Sequence, residues 1–152
     1  MTKSNSPVSQ ALNEVVKETY ILLTQTHQHH WNVEGPMFVS LHELFEKQYN
    51  ELFTAIDEVA ERVRALDDYA LPFKDNATFP NMNAAVNDNN DATEAAQQMV
   101  QELIEQNQKV IDACQKAKEE AVKSEDDETE DLTIERITAH QDAIWMLKSV
   151  IK

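Results

Sequence analysis

Glycine occurs once, proline four times and cysteine once in the 152 residues. So few turn formers argue against a many-turned β fold and for long helices. The lone Cys114 has no partner for an internal disulfide, which fits a reducing compartment. Bases are scarce too: 13 Lys and Arg stand against 28 Asp and Glu, a formal charge of −15. That balance opposes nucleic acid and anionic membrane surfaces and favours cations as partners. No apolar run approaches the length of a membrane span. The opening MTKSNSPVSQ lacks the apolar core of an export signal. The length suits a single domain with a substantial core. The expectation is therefore one soluble, cytoplasmic, all-α domain over 1–152, with a short polar segment at 1–6.

What is present is helical periodicity. Ser6–Pro7 reads as an N-cap followed by proline at the first helical position. Val8, Leu12, Val15, Val16, Thr19, Leu22, Leu23, Thr26 and His30 then recur at the helical period. A first helix is predicted from about Pro7 to about Val33, stopped at Gly35–Pro36 by a left-handed residue. A second follows, from a capping box at Ser40-x-x-Glu43 or from nearer Met37. Its stripe is Leu41, Phe45, Tyr49, Leu52, Ile56, Val59, Val63 and Leu66. Residues 68–90 break the pattern with Pro72, Pro80 and many Asn, and a short helical piece is expected at Asn83 to Val86. Asp91-x-x-Glu94 caps a third long helix, which ends in the acidic run Ser124 to Glu128. A fourth is expected over roughly Thr129 to Ile151. Four helices joined by one long crossover, between the second and third, have the topology of a ferritin-type bundle.

Five potential metal ligands lie at the end of the first predicted helix and along the second: His30, His42, Glu46, Asp57 and Glu61. His42/Glu46 and Asp57/Glu61 are i, i+4 pairs, each on one helix face. The stretch between the pairs is close to three whole turns, so both pairs share a face. They cannot share a metal within one chain, because Glu46 and Asp57 are ~16 Å apart along the axis. A second copy of the helix, antiparallel across a two-fold axis near Glu51 and Leu52, closes the gap. His42 then opposes Glu61 of the partner subunit, and Glu46 opposes the partner's Asp57. Two equivalent sites arise, as an isologous dimer requires. Carboxylate plus imidazole suits Fe(II), Mn(II) or Zn(II). A plainer reading exists for each residue. His30 lies on the apolar stripe and reads alone as a core histidine. The two pairs read alone as solvated acids and base in an acid-rich chain. His27 and His29 read as surface residues and Trp31 as packing. Spacing leaves both readings open.

The sequence His30-Trp31-Asn32-Val33-x-Gly35, then Phe38-x-x-Leu41-His42, Glu46 and Asp57-Glu58-x-Ala60-Glu61-Arg62 resembles the Dps-type mini-ferritins. The resemblance runs through Trp145 to the end of the fourth helix. It implies a single ferritin-like domain that builds a dodecameric shell, with a short helix in the crossover. It also implies ferroxidase sites at the dimer two-fold, with His30 and His42 from one subunit and Asp57 and Glu61 from the other. Iron is the implied metal, as Fe(II) and Fe(III), with two irons per site and Zn or Mn able to substitute. The implied oxidant is hydrogen peroxide or oxygen. Glu46 stands where the family usually has Asp. Trp31 stands where a tryptophan near the site takes up an electron or radical. Asp127 and Asp131 match the acids of the family's iron-entry pores, though acids also favour a helix N-terminus by themselves. Glu125 stands where the family often has glycine. The family's DNA binding relies largely on basic tails, and here the start carries only Lys3 and the chain ends at Lys152. Iron oxidation and storage is thus expected, with direct DNA contact and nucleoid association as the alternative.

Overall fold

The computed structural model describes residues 5–76 and 78–152; Lys3 and most of the polar opening lie outside them. Five helices follow in order: α1 Pro7–Asn32, α2 Phe38–Ala65, α3 Ala84–Asn87, α4 Ala92–Lys123 and α5 Asp127–Val150. The architecture is the expected all-α four-helix bundle, with short α3 in the crossover.

Local chemistry sets each boundary. At the start of α1 the Ser6 hydroxyl accepts from the Ser9 amide at 3.1 Å, and Pro7 follows at the first position, where no amide is needed. The helix stops at Asn32. Gly35 does not cap it; at φ +92° it shapes the turn into α2. A Cβ there would meet the Ala92 Cβ at 3.3 Å, so the bare glycine also lets this turn press on the start of α4. The capping box at Ser40 does not form. Helix α2 begins at Phe38, and the Ser40 hydroxyl donates back to the Met37 carbonyl instead. The cap at α4 is as expected: Asp91 accepts from the Thr93 and Glu94 amides at 2.8 and 3.1 Å. Helix α5 starts two residues before Thr129 because Asp126 caps it, accepting from the Thr129 amide at 3.0 Å.

Contacts between ends give the directions. Ser6 bonds Asp68, while His30 meets His42, so α1 and α2 are antiparallel. Arg62, late in α2, reaches Thr129 at the start of α5, so those two are antiparallel as well. His29 on α1 meets Glu102 in the first half of α4, which leaves α2 and α4 parallel across the crossover. Helix α1 packs on α2 and α4, and α4 on α5, whereas the α2–α5 seam is thin. Leu12, Leu22, Leu41, Phe45, Met99, Leu103 and Leu147 are fully buried between them. Among the described residues no helix is long and apolar enough to cross a membrane.

Candidate metal centre

His30 ends α1 and His42 opens α2, and the tight turn through Gly35 brings them face to face. Their rings stack at 3.8 Å between centroids, 15° from parallel. The bonding is reciprocal: Nδ1 of His30 lies 2.8 Å from the His42 carbonyl, and Nδ1 of His42 lies 2.8 Å from the His30 carbonyl. A carbonyl oxygen only accepts, so each Nδ1 must carry its proton and donate. With that proton on Nδ1, the neutral form of each ring has its lone pair on Nε2, the form in which imidazole binds a metal. The backbone has fixed the tautomer of both rings.

Aromatic side chains wall this pair. Phe38 lies 4.9 Å from His42, and Tyr49 stands edge-on to His30 at 5.2 Å. His27 packs between Tyr49 at 4.6 Å and Trp31 at 4.2 Å. It is half-buried rather than the surface residue its sequence position suggested. Trp31 is 63% exposed and reaches the imidazole pair through His27 and Tyr49.

The carboxylates are placed differently. Glu46, Asp57 and Glu61 are all exposed on α2. None of the three makes a hydrogen bond or ion pair among the described residues. No group of three or more His, Cys, Asp or Glu that could hold a metal forms within the described residues of one chain. Exposed beside these acids is Phe53, 63% accessible, an apolar side chain on a polar face. One chain thus brings two of the five residues together and leaves three on an uncovered helix face.

The ferritin-like domain model matches residues 9–152. The chain belongs to the ferritin-like family, in its Dps group. It is 32% identical over 148 residues to DNA protection during starvation protein 2 of Bacillus anthracis, covering 97% of this chain and 98% of that one. Among solved structures, Dps from Staphylococcus aureus matches at a TM-score of 0.78 with 29% identity over 99% of both chains. A Dps protein from Bacillus brevis matches at 0.76 with 28% identity over 95% of both.

In this Dps-type chain, Asp127 and Asp131 are exposed one turn apart at the start of α5. The residue that organises this corner is Asp126. Burial pushes its carboxyl upward, but hydrogen bonds from Thr129 and the Arg62 guanidinium outweigh that and hold it below the usual range. Arg62 donates to both Thr129 and Asp126 at 2.9 Å, clasping the end of α2 to the start of α5. Glu125 just before it takes φ 55°, the left-handed conformation a glycine adopts freely.

Two buried histidines escaped the sequence reading. His29, expected at the surface, is 1% exposed and its Nε2 lies 3.0 Å from the Glu102 carboxylate. Burial lowers its pKa to about 4, so the ring is neutral and donates from Nε2. His140 is buried on α5 beside Asn107 and Arg136, and burial lowers it to about 3. The signal for His29 was available: it lies four residues after Gln25 and seven after Leu22, both buried on α1.

Proposed function

We propose that this chain oxidises Fe(II) and stores the Fe(III) product inside a shell of identical subunits. The observation that carries the reading is the reciprocal lock of His30 and His42, which leaves two Nε2 lone pairs unspent beside an exposed acidic face. His30 and His42 come from one subunit; Asp57 and Glu61 come from its two-fold mate. Glu46 offers a further carboxylate for the second iron. The coincident sequence midpoints of His42/Glu61 and Glu46/Asp57 support this pairing, because an antiparallel copy of α2 aligns both at once. Exposed Phe53 fits the same face as a contact between copies. The shell is a dodecamer by the family pattern, and its place is the cytoplasm.

Two Fe(II) ions each give one electron to hydrogen peroxide, which leaves as two hydroxides. Carboxylate oxygens bind Fe(III) more strongly than Fe(II) and so favour the oxidised product, while the imidazoles bind both. Fe(III) then hydrolyses and mineralises. The formal charge of −15 per chain raises the local Fe(II) concentration, and Asp127 and Asp131 line the entry. Trp31, in ring contact with His27 and through it with Tyr49, serves as an electron or radical relay for the site.

Protection of DNA follows by removing Fe(II) from peroxide. Direct contact is disfavoured, because phosphate neutralisation needs clustered bases. The test is Fe(II) loading of the purified shell without oxygen, followed by peroxide and oxygen in separate runs, beside a gel shift at low salt. Peroxide-driven oxidation at about two irons per site and no gel shift in the absence of divalent ions are expected. Failure to bind or oxidise Fe(II) refutes the site, and tight salt-sensitive DNA binding refutes the reading of the surface.

A further inference from the structure

The thin α2–α5 seam leaves a half-open pocket of about 210 Å³ that the iron chemistry does not use. Its walls are the apolar side chains of Leu22 on α1, Leu52 on α2, and Ala139, Ala143 and Met146 on α5. The two alanines leave the space that larger residues would fill. Thr26, Asn107 and His140 supply polar atoms at its walls.

Those polar atoms are already committed. Arg136 can only donate, so at 2.9 Å it fixes Nε2 of His140 as an acceptor. The proton of His140 is then on Nδ1, which donates to Asn107 Oδ1 at 2.9 Å. Asn107 Nδ2 donates in turn to the Leu103 carbonyl at 2.8 Å. At the other end Arg136 is paired with Glu51. Arg136 donates both ways, to Glu51 and to His140, and from His140 the bonds run in one direction to the α4 backbone. Thr26 donates to the Leu22 carbonyl at 2.7 Å. Among the described residues, the buried side-chain atoms with no partner are Gln25 Oε1 and His29 Nδ1, and neither residue lines the cavity. Nothing in its walls asks for a water with two to four polar partners. A volume of about 150 Å³ lined by apolar side chains already takes one benzene, and the space here is larger, though open to solvent on one side.

We propose that the α2–α5 cavity binds a small uncharged apolar molecule, of the size of one aromatic ring with a short substituent. The guest lies against Leu22, Leu52 and Met146, with the alanines of α5 as the back wall. Charged molecules of the same size are disfavoured, because the apolar walls offer no counter-charge and the rim carries both signs in Lys47, Glu51 and Asp142.

The test uses the assembled protein with benzene as the probe and benzoate as its charged counterpart. Benzene should raise Tm by a few degrees in a saturable way, since it binds the folded state alone, and benzoate should not. Ala143→Leu places three further carbons in the cavity and should abolish the benzene shift. Ala139→Val serves the same purpose if that variant does not assemble. Crystals held under xenon should show a xenon atom between Leu22, Leu52 and Met146. Absence of a saturable shift together with absence of xenon there overturns the proposal. So does a benzene shift that survives both fillings, or an equal response to benzoate.

Discussion

The two ends of α2 are built on opposite principles. At its start, His42 is stacked on His30, bonded to the backbone and flanked by Phe38, with Tyr49 edge-on to His30. Toward its far end, Asp57 and Glu61 stand in solvent without a bonding partner among the described residues. The first half of the proposed site is preorganised within the chain and so costs little ordering when metal arrives. The second half is a bare helix face whose meaning depends on what covers it. A side chain that is both ligand and packing element should therefore answer to mutation differently from one that is ligand alone.

The comparison breaks most sharply by mixing subunits. His42→Ala and Glu61→Ala shells should each oxidise Fe(II) poorly. Unfolded, mixed equally and reassembled, they should regain about a quarter of the sites, since each shared site needs one intact residue from each partner. No recovery in mixed shells of verified composition would mean that no site is shared between subunits.

Next in size is the split between activity and stability. His30→Ala with His42→Ala should slow Fe(II) oxidation by at least about 100-fold and also lower the unfolding free energy by about 2–4 kcal/mol, because the buried His30 ring and the half-buried His42 ring stacked on it are lost. Asp57→Asn with Glu61→Gln should slow oxidation comparably, yet shift subunit stability by no more than about 0.5 kcal/mol. Equal stability losses in denaturant titrations would erase the distinction between the two ends.

A third effect is pH dependence beside the preorganised end. His29 is held neutral, with its folded pKa lowered to about 4 from 6.5. The unfolded chain then binds the proton first as pH falls. Stability is full above about pH 6.5 and declines between there and pH 4. His140, lowered to about 3, extends the decline further down. Glu102, whose carboxyl burial raises, works the other way at acid pH and blunts the slope. His140→Gln should flatten the decline in Tm between pH 6.5 and 4, and an unchanged slope would show that His140 does not carry it.

The smallest effect lies at the turn before α5. Glu125→Gly should stabilise the subunit by about 1 kcal/mol or less, since relief of the left-handed strain is offset in part by glycine entropy. Differential scanning calorimetry reads the shift, and destabilisation would mean that the Glu125 side chain contributes something its φ angle does not reveal.

Much of this was legible in the sequence because it is local. The apolar stripes, Ser6–Pro7, the Asp91 cap and the Gly35 turn predicted the long helices, and α3 lies within one residue of its expected place. Where local signals competed, tertiary context chose. Ser40 carried a capping pattern, but the Gly35 turn set α2 going at Phe38. Asp126 rather than Thr129 opened α5, helped by an arginine 64 residues away in sequence. The pairing of ligands by spacing was likewise readable, because helical geometry alone forbids Glu46 and Asp57 from meeting within one chain. The tautomers of His30 and His42 were not, since they depend on two carbonyls brought together only by the α1–α2 turn. Nor could the sequence say what His29, His30 and His27 would meet, three histidines within four residues that end up buried against Glu102, stacked on His42 and wedged between Tyr49 and Trp31. Periodicity fixes which face of a helix a residue lies on; what stands opposite that face is decided by packing among segments far apart in the chain.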